Sequence, residues 1–270
     1  MDKSTSISNA LTVLNTWVQR DSLAYFDKSL VFGSILHREA DQFDVQSSDV
    51  DLLHVLKADL TALERWEGLV SALSDISDLE MQLLKAFQRE SAGTPIVSHS
   101  VLTPTEVSLA IHKDGQKQLL LAPRFARLPF VEISSAPRES VSGSIDHEFL
   151  QTNPEPVDVF AFAQKTRNEY LAMAPNGRRK MQPLPIGDDP IPKAISRKAA
   201  TLAWFKGDTE LDEREDLTIG LEYVFDLLGT YSDAPVKQLR RRIGTRRRTR
   251  DTEQPLTQED ILLLTEILFD

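Results

Sequence analysis

At 270 residues and 41% apolar content the chain can bury a substantial core. Its formal charge of −10 argues against general electrostatic affinity for nucleic acid, and the absence of cysteine excludes a disulfide framework and thiolate metal sites. No run of about 18 apolar residues predicts a membrane span, and the start MDKSTSISNALTVLNTW lacks the basic flank and continuous apolar stretch of a signal peptide, so the expected location is cytoplasmic.

Asn9 is the expected cap of a first helix running to about Asp21, with Leu11, Leu14, Trp17 and Val18 on one face. Leu30, Val31 and Phe32 form an apolar strand that stops at Gly33, and Ser34 suits the N-cap of a short helix from Ile35 to Ala40. A helix start offers unpaired N–H groups, and Gly33 has no Cβ to keep a phosphate away. Arg38 begins beside that turn. In Ser48-Asp49-Val50-Asp51-Leu52-Leu53, strand alternation sends both aspartates to one face and Val50 and Leu52 to the other. Two like charges on an apolar strand repel unless a cation lies between them, and hard carboxylate oxygens suit Mg²⁺ or Mn²⁺.

Gly-Ser, a spacer, then Asp-x-Asp between apolar residues resembles the core signature of the DNA polymerase β-type nucleotidyltransferase superfamily. The spacer here, Ile35 to Ser48, is a little long. The resemblance implies an α+β fold, a mixed-sheet catalytic lobe followed by a mainly helical lobe. It also implies transfer of NMP from an NTP, ATP being favoured, to an acceptor hydroxyl with divalent metal. Gly33 and Ser34 would bind the nucleotide, and Asp49 and Asp51 would be catalytic metal ligands. A third acid is expected on a later strand beside the Asp-x-Asp strand. Glu132, within Phe130-Val131-Glu132-Ile133-Ser134, is the match chosen, with Glu106 and Asp114 as rivals.

From Asp59 to Glu90 apolar residues recur every three or four positions, predicting one long helix or two joined ones. Ser91 to Pro95 is a break, Thr105 to Lys113 a short helix and Gln118 to Ala122 a strand. Arg138 to Pro156 reads as a connection, which divides the chain into a catalytic lobe, 1–137, and a helical lobe, 138–270. In the latter, helices are expected over Pro156 to Met173, Ile191 to Phe205, Asp212 to Leu228 and Leu256 to Phe269, the last capped by Thr257. Pro175 to Pro192 is a loop.

The resemblance also implies cations from the helical lobe on the triphosphate, for which Lys193, Arg197 and Lys198 are candidates. A second basic feature is 236–250, eight cations in fifteen residues without an acid. Such a cluster attracts polyphosphate or a nucleic-acid backbone even on an acidic chain, and a protein partner is the other candidate. His37, His54, His99, His112 and His147 fall at no metal-ligand spacing, and no His follows His147, which sets aside an RNase-type bundle. The acceptor could be a second nucleotide, giving a defence signal, or an RNA end, a protein hydroxyl or a small molecule. A non-catalytic relative that holds nucleic acid through its arginines is the reading from a different class.

Overall fold

A computed structural model describes residues 2–89, 94–143, 154–174, 189–249 and 256–270. Its architecture is mixed α+β, with 56% of the structure helical. Helix α1 (Lys3–Trp17) starts earlier than expected, because the Asp2 side chain accepts from the Thr5 N–H at 2.8 Å and provides the N-cap. Strand β1 (Phe26–Phe32) pairs antiparallel with β2 (Val50–Leu56), placing Phe32 opposite Asp51.

Helix α2 (Ala62–Phe87) is one continuous helix of 26 residues, started by a reciprocal Thr61–Glu64 capping box. It carries the chain to β3 (Val97–Leu102), which lies parallel to β2, a pairing that requires such a crossover. Glu80, fully buried on α2, accepts from the N–H groups of Ile96 and Val97 at 2.9–3.0 Å and fixes the start of β3. Burial raises its carboxyl above the usual range while those N–H groups pull it back.

Two short helices, α3 (Pro104–Ser108) and α4 (Lys117–Leu121), precede β4 (Phe125–Arg127) and β5 (Arg138–Glu139), giving the sheet order β3-β2-β1-β4-β5. Three sequence expectations are corrected in this region. Lys117-Gln-Leu-Leu-Leu, without a β-branched residue, forms helix α4, and the strand comes three residues later at Phe125. Phe130 to Ser134 is not a strand. Asn15 of α1 donates to Phe130 O at 2.8 Å and accepts from Phe130 N at 3.1 Å, taking both backbone groups that a neighbouring strand would use, and Val131 is 86% exposed. Ile35 to Ala40 forms two 3₁₀ turns rather than an α-helix, with Arg38, Glu39 and Ala40 all at positive φ.

The remaining helices are α5 (Pro154–Leu171), α6 (Lys193–Phe205), α7 (Leu217–Gly229), α8 (Ala234–Thr249) and α9 (Gln258–Leu268). Thr257 caps α9 as expected, in a capping box with Asp260. Much of the expected loop, 175–188, and part of the connection, 144–153, lie outside the described residues. Helix α8 absorbs the basic segment up to Thr249, and Arg250 lies outside the description.

One apolar cluster lies between the sheet and helices α1 and α2, and a second gathers Val159, Ile195, Val224, Leu239 and Leu263 from α5 to α9. The two meet at α2 and α9. Arg65 and Arg167 both reach Glu266, and Arg167 also holds Glu106, so four buried charges from α2, α3, α5 and α9 form one network. Glu106, with burial raising its carboxyl against the pull of Arg167, is committed to that network.

Candidate active site

The end of β2 is shaped before Asp49 is reached. Asp44 organises the preceding turn, accepting from Gln46 N at 3.0 Å and Ser47 Oγ at 2.5 Å, while Arg89 donates to Ser48 O at 2.8 Å. Val50 N then bonds Ile96 O at 2.6 Å and starts the ladder with β3. Asp49 is exposed just ahead of β2, Asp51 is half-buried inside it, and Val50 and Leu52 are fully buried on the opposite face. The alternation read from the sequence is therefore present.

Gly33 closes over Asp51. Its φ is +77°, and a Cβ there would fall 2.0 Å from Asp51 Oδ2. Both the backbone conformation and the carboxylate require glycine. Burial, and secondarily the neighbouring Asp49, push the Asp51 carboxyl up to about 7. The pair fits Mg²⁺, which is held by one or two carboxylates and completes its shell with water and substrate phosphates. Among the described residues no three His, Asp or Glu side chains converge as a metal site. The position on β3 in register with Asp51 is Ser98, so the strand beside the Asp-x-Asp strand brings no acid there.

One cleft adjoins the Gly33 turn and another is lined by Asp49, while Asp51 lines neither. The first, of about 630 Å³, is lined by Gly33, Ser34, Arg38, Arg124 and Arg138, with no carboxylate among the described residues of its wall. Arg138 is held by Leu36 O and Ile133 O at 3.1 and 3.3 Å, and burial lowers its guanidinium from the usual value. Among the described residues it has no carboxylate partner. The left-handed run Arg38–Ala40 places Arg38 on this wall, a conformation that costs about 1–2 kcal/mol per L-residue. The other cleft, of about 710 Å³, is lined by Asp49, Ser98, Asp114 and the side of α5.

The structure thus brings Gly33, Ser34 and Arg38 together and sets Asp49 and Asp51 beside them. It does not bring Glu132 there: that residue is exposed on the loop after β4 and lines a separate cleft with Lys3, Ser8 and Glu39. Lys193 pairs with Asp189 at 3.7 Å and Lys198 with Asp158, while Arg197 is exposed on α6; none lines either flanking cleft. In the basic segment, Arg240 donates to Phe225 O at 3.1 Å and stacks 4.2 Å from its ring centroid, and Arg242 pairs with Asp260. The residues that sequence reasoning missed are Arg124 and Arg138. Each closes an Ala-Pro-Arg tripeptide, Ala122 to Arg124 and Ala136 to Arg138, and that repetition was the available signal.

Among the described residues the histidines form no catalytic set, and His147 lies outside them. His54 bonds Ser29 Oγ at 2.8 Å and His99 at 3.0 Å in the core beside Trp17. Burial holds His54 well below its usual value and takes His99 down to about 3, so both are neutral packing groups.

A family model described as Pol beta superfamily nucleotidyltransferase in conflict systems matches residues 13–270. Comparisons with curated proteins and with solved structures return no match. The match spans nearly the whole chain, which therefore belongs to this nucleotidyltransferase family and is an enzyme of that class.

Proposed function

We propose, from membership of that conflict-system nucleotidyltransferase family, that the chain moves NMP from an NTP, ATP being the nucleotide favoured, to an acceptor hydroxyl in a Mg²⁺- or Mn²⁺-dependent reaction. The observation that carries this reading is the cleft of Arg38, Arg124 and Arg138 beside the Gly33–Ser34 turn, which has no carboxylate among its described residues, together with Gly33 packed over the Asp51 carboxylate. On a chain of net charge −10, three cations without a carboxylate among them suit a polyphosphate. The triphosphate would lie there, with Ser34 and the turn's N–H groups on its oxygens and the arginines on its charge. Asp49 and Asp51 would hold the metal, which when bound neutralises phosphate charge and makes the acceptor hydroxyl more acidic.

Attack of that hydroxyl forms the new P–O bond at the α-phosphorus and breaks the bond to pyrophosphate, which leaves along the arginine cleft. Positioning and charge neutralisation supply most of the acceleration. For the third acid, Asp114 shares a cleft with Asp49, and this supports it over Glu132. Membership of conflict systems supports synthesis of a signal nucleotide as the biological role; RNA, protein or small-molecule modification is the alternative. The donor site is tested by thermal shift with Mg²⁺-ATP. The wild type should be stabilised, and Arg124→Ala with Arg138→Ala should lose most of that shift while keeping the ligand-free Tm. An undiminished shift would remove the triphosphate from this cleft.

A further inference from the structure

Gln164 is a fully buried amide on α5, and burying an amide is unfavourable unless its polar groups are paired. Both of its ends go to one stretch of backbone: Nε2 donates to Ile111 O at 3.1 Å, and Oε1 accepts from Lys113 N at 2.6 Å. Since one partner is an acceptor and the other a donor, they also fix which way round the amide sits. The stretch they hold, between the left-handed residues Ala110 and Gly115, lies outside any helix or strand and has no ladder to define it. Ile111 N donates to Glu106 O at 2.8 Å and Asp114 N to Nδ1 of the buried His112 at 3.3 Å, so the backbone is pinned as far as the residue that carries the Asp114 carboxylate. Asp114 itself is exposed and lines a cleft with Asp49. Its side chain meets Lys113 Nζ at 3.2 Å, an exposed pair of the kind that contributes little, so the clamp on the backbone rather than the ion pair sets where the carboxylate stands.

We propose that Gln164 is a positioning residue of the active site: from α5 it sets the 111–114 segment so that Asp114 stands on the same cleft wall as Asp49. The proposal rests on the reading of Asp114 as the third acid. It gives α5 a task beyond packing. Arg167, three residues further along the same face of that helix, pairs with the Glu106 carboxylate at 2.9 Å, and Glu106 O is the acceptor for Ile111 N. Both ends of the 106–114 segment are therefore held by α5, its start through Arg167 and the backbone before Asp114 through Gln164. An acid on a loop depends on such support, because no strand register places it: the residue in register with Asp51 on β3 is Ser98. Groups that orient a metal ligand without touching the metal govern its affinity almost as strongly as the ligand does.

The test measures Mn²⁺ binding to the whole chain by electron paramagnetic resonance in the presence of α,β-methylene ATP, which loads the site without turnover. Asp114→Asn and Gln164→Met should each raise the Mn²⁺ Kd about tenfold or more, in proteins shown by circular dichroism to be folded. Gln164→Glu keeps the oxygen for Lys113 N and loses the donor to Ile111 O; it should fall between wild type and Gln164→Met, and it carries the comparison if Gln164→Met does not fold. Placed in the Asp114→Asn background, either Gln164 change should move the Kd by less than about twofold further, because the residue it acts through is already gone. A role in stability alone would lower the Tm and leave the Mn²⁺ affinity where it was. Folded Gln164 variants with the wild-type Kd, or losses that multiply in the double variant, would overturn the proposal and leave the reading of Asp114 standing. A wild type that binds no Mn²⁺ with the analogue, or Asp114→Asn with wild-type affinity, would instead overturn the reading of Asp114 as a metal ligand, and the proposal with it.

Discussion

Gly33 and Asp51 carry the tightest constraint at the scale of single residues. Gly33→Ala combines a positive φ with a carboxylate 2.0 Å from the new Cβ, so either the turn or Asp51 must move. The expected outcome is a loss of about 1–3 kcal/mol in urea unfolding, as for other overpacked sites, together with loss of the Mg²⁺-ATP thermal shift. Asp51 supplies a pH prediction. Its folded-state carboxyl is raised to about 7, so it adds stability to the metal-free protein that is complete below the ordinary aspartate value near 4 and lost as pH rises through about 7. Asp51→Asn should therefore leave the metal-free protein more stable than wild type at pH 8, by on the order of 4 kcal/mol since the rise is about three pKa units at about 1.4 kcal/mol each, with the difference vanishing near pH 4. A paired series of melts with EDTA from pH 4 to 8 measures it. Mg²⁺ should narrow the gap at pH 8 by stabilising only the wild type.

Elements show why some features were readable and others were not. The Asp49-x-Asp51 alternation, the apolar period of α2 and the Thr257 cap of α9 are local patterns that the structure keeps, whereas the expected Ser34 cap is absent because a 3₁₀ turn begins one residue earlier, at Gly33. The failures come from distant partners. Phe130 to Ser134 has strand composition, yet Asn15, 115 residues away, occupies the backbone of Phe130, and Glu132 goes to the surface with it. Arg124 and Arg138 meet the Gly33 turn only because β4 and β5 add to the far side of β1, a pairing that no spacing in the sequence announces. The run 236–250 looked like a free cationic strip. Folding makes a helix of it up to Thr249 and buries Val236, Leu239 and Ile243. Arg240, on that helix, should behave as a packing residue: Arg240→Ala removes its bond to Phe225 O and its ring contact, and should cost about 1–2 kcal/mol in chemical denaturation. A cost near zero would return that arginine to the pool available for a partner.

Across the whole molecule, the sheet that presents the site and the helices that follow are joined through charges as well as apolar packing. Arg167 is 1% exposed between Glu106 of α3 and Glu266 of α9, and Arg65 of α2 completes the group. Removing one member leaves the others buried and uncompensated; Arg167→Met should cost about 3–5 kcal/mol in stability, measured by chemical denaturation. No helix among the described residues is long and apolar enough to cross a membrane.

The central claim is that Asp49 and Asp51, beside the Gly33 turn and its arginine cleft, carry out NMP transfer. The most direct measurement is release of pyrophosphate from α-labelled ATP with Mg²⁺, comparing wild type with Asp49→Ala, Asp51→Ala in a protein shown by circular dichroism to be folded. The account predicts label transferred from ATP and pyrophosphate released by the wild type, and neither by the double variant. Equal turnover in the folded double variant would contradict it.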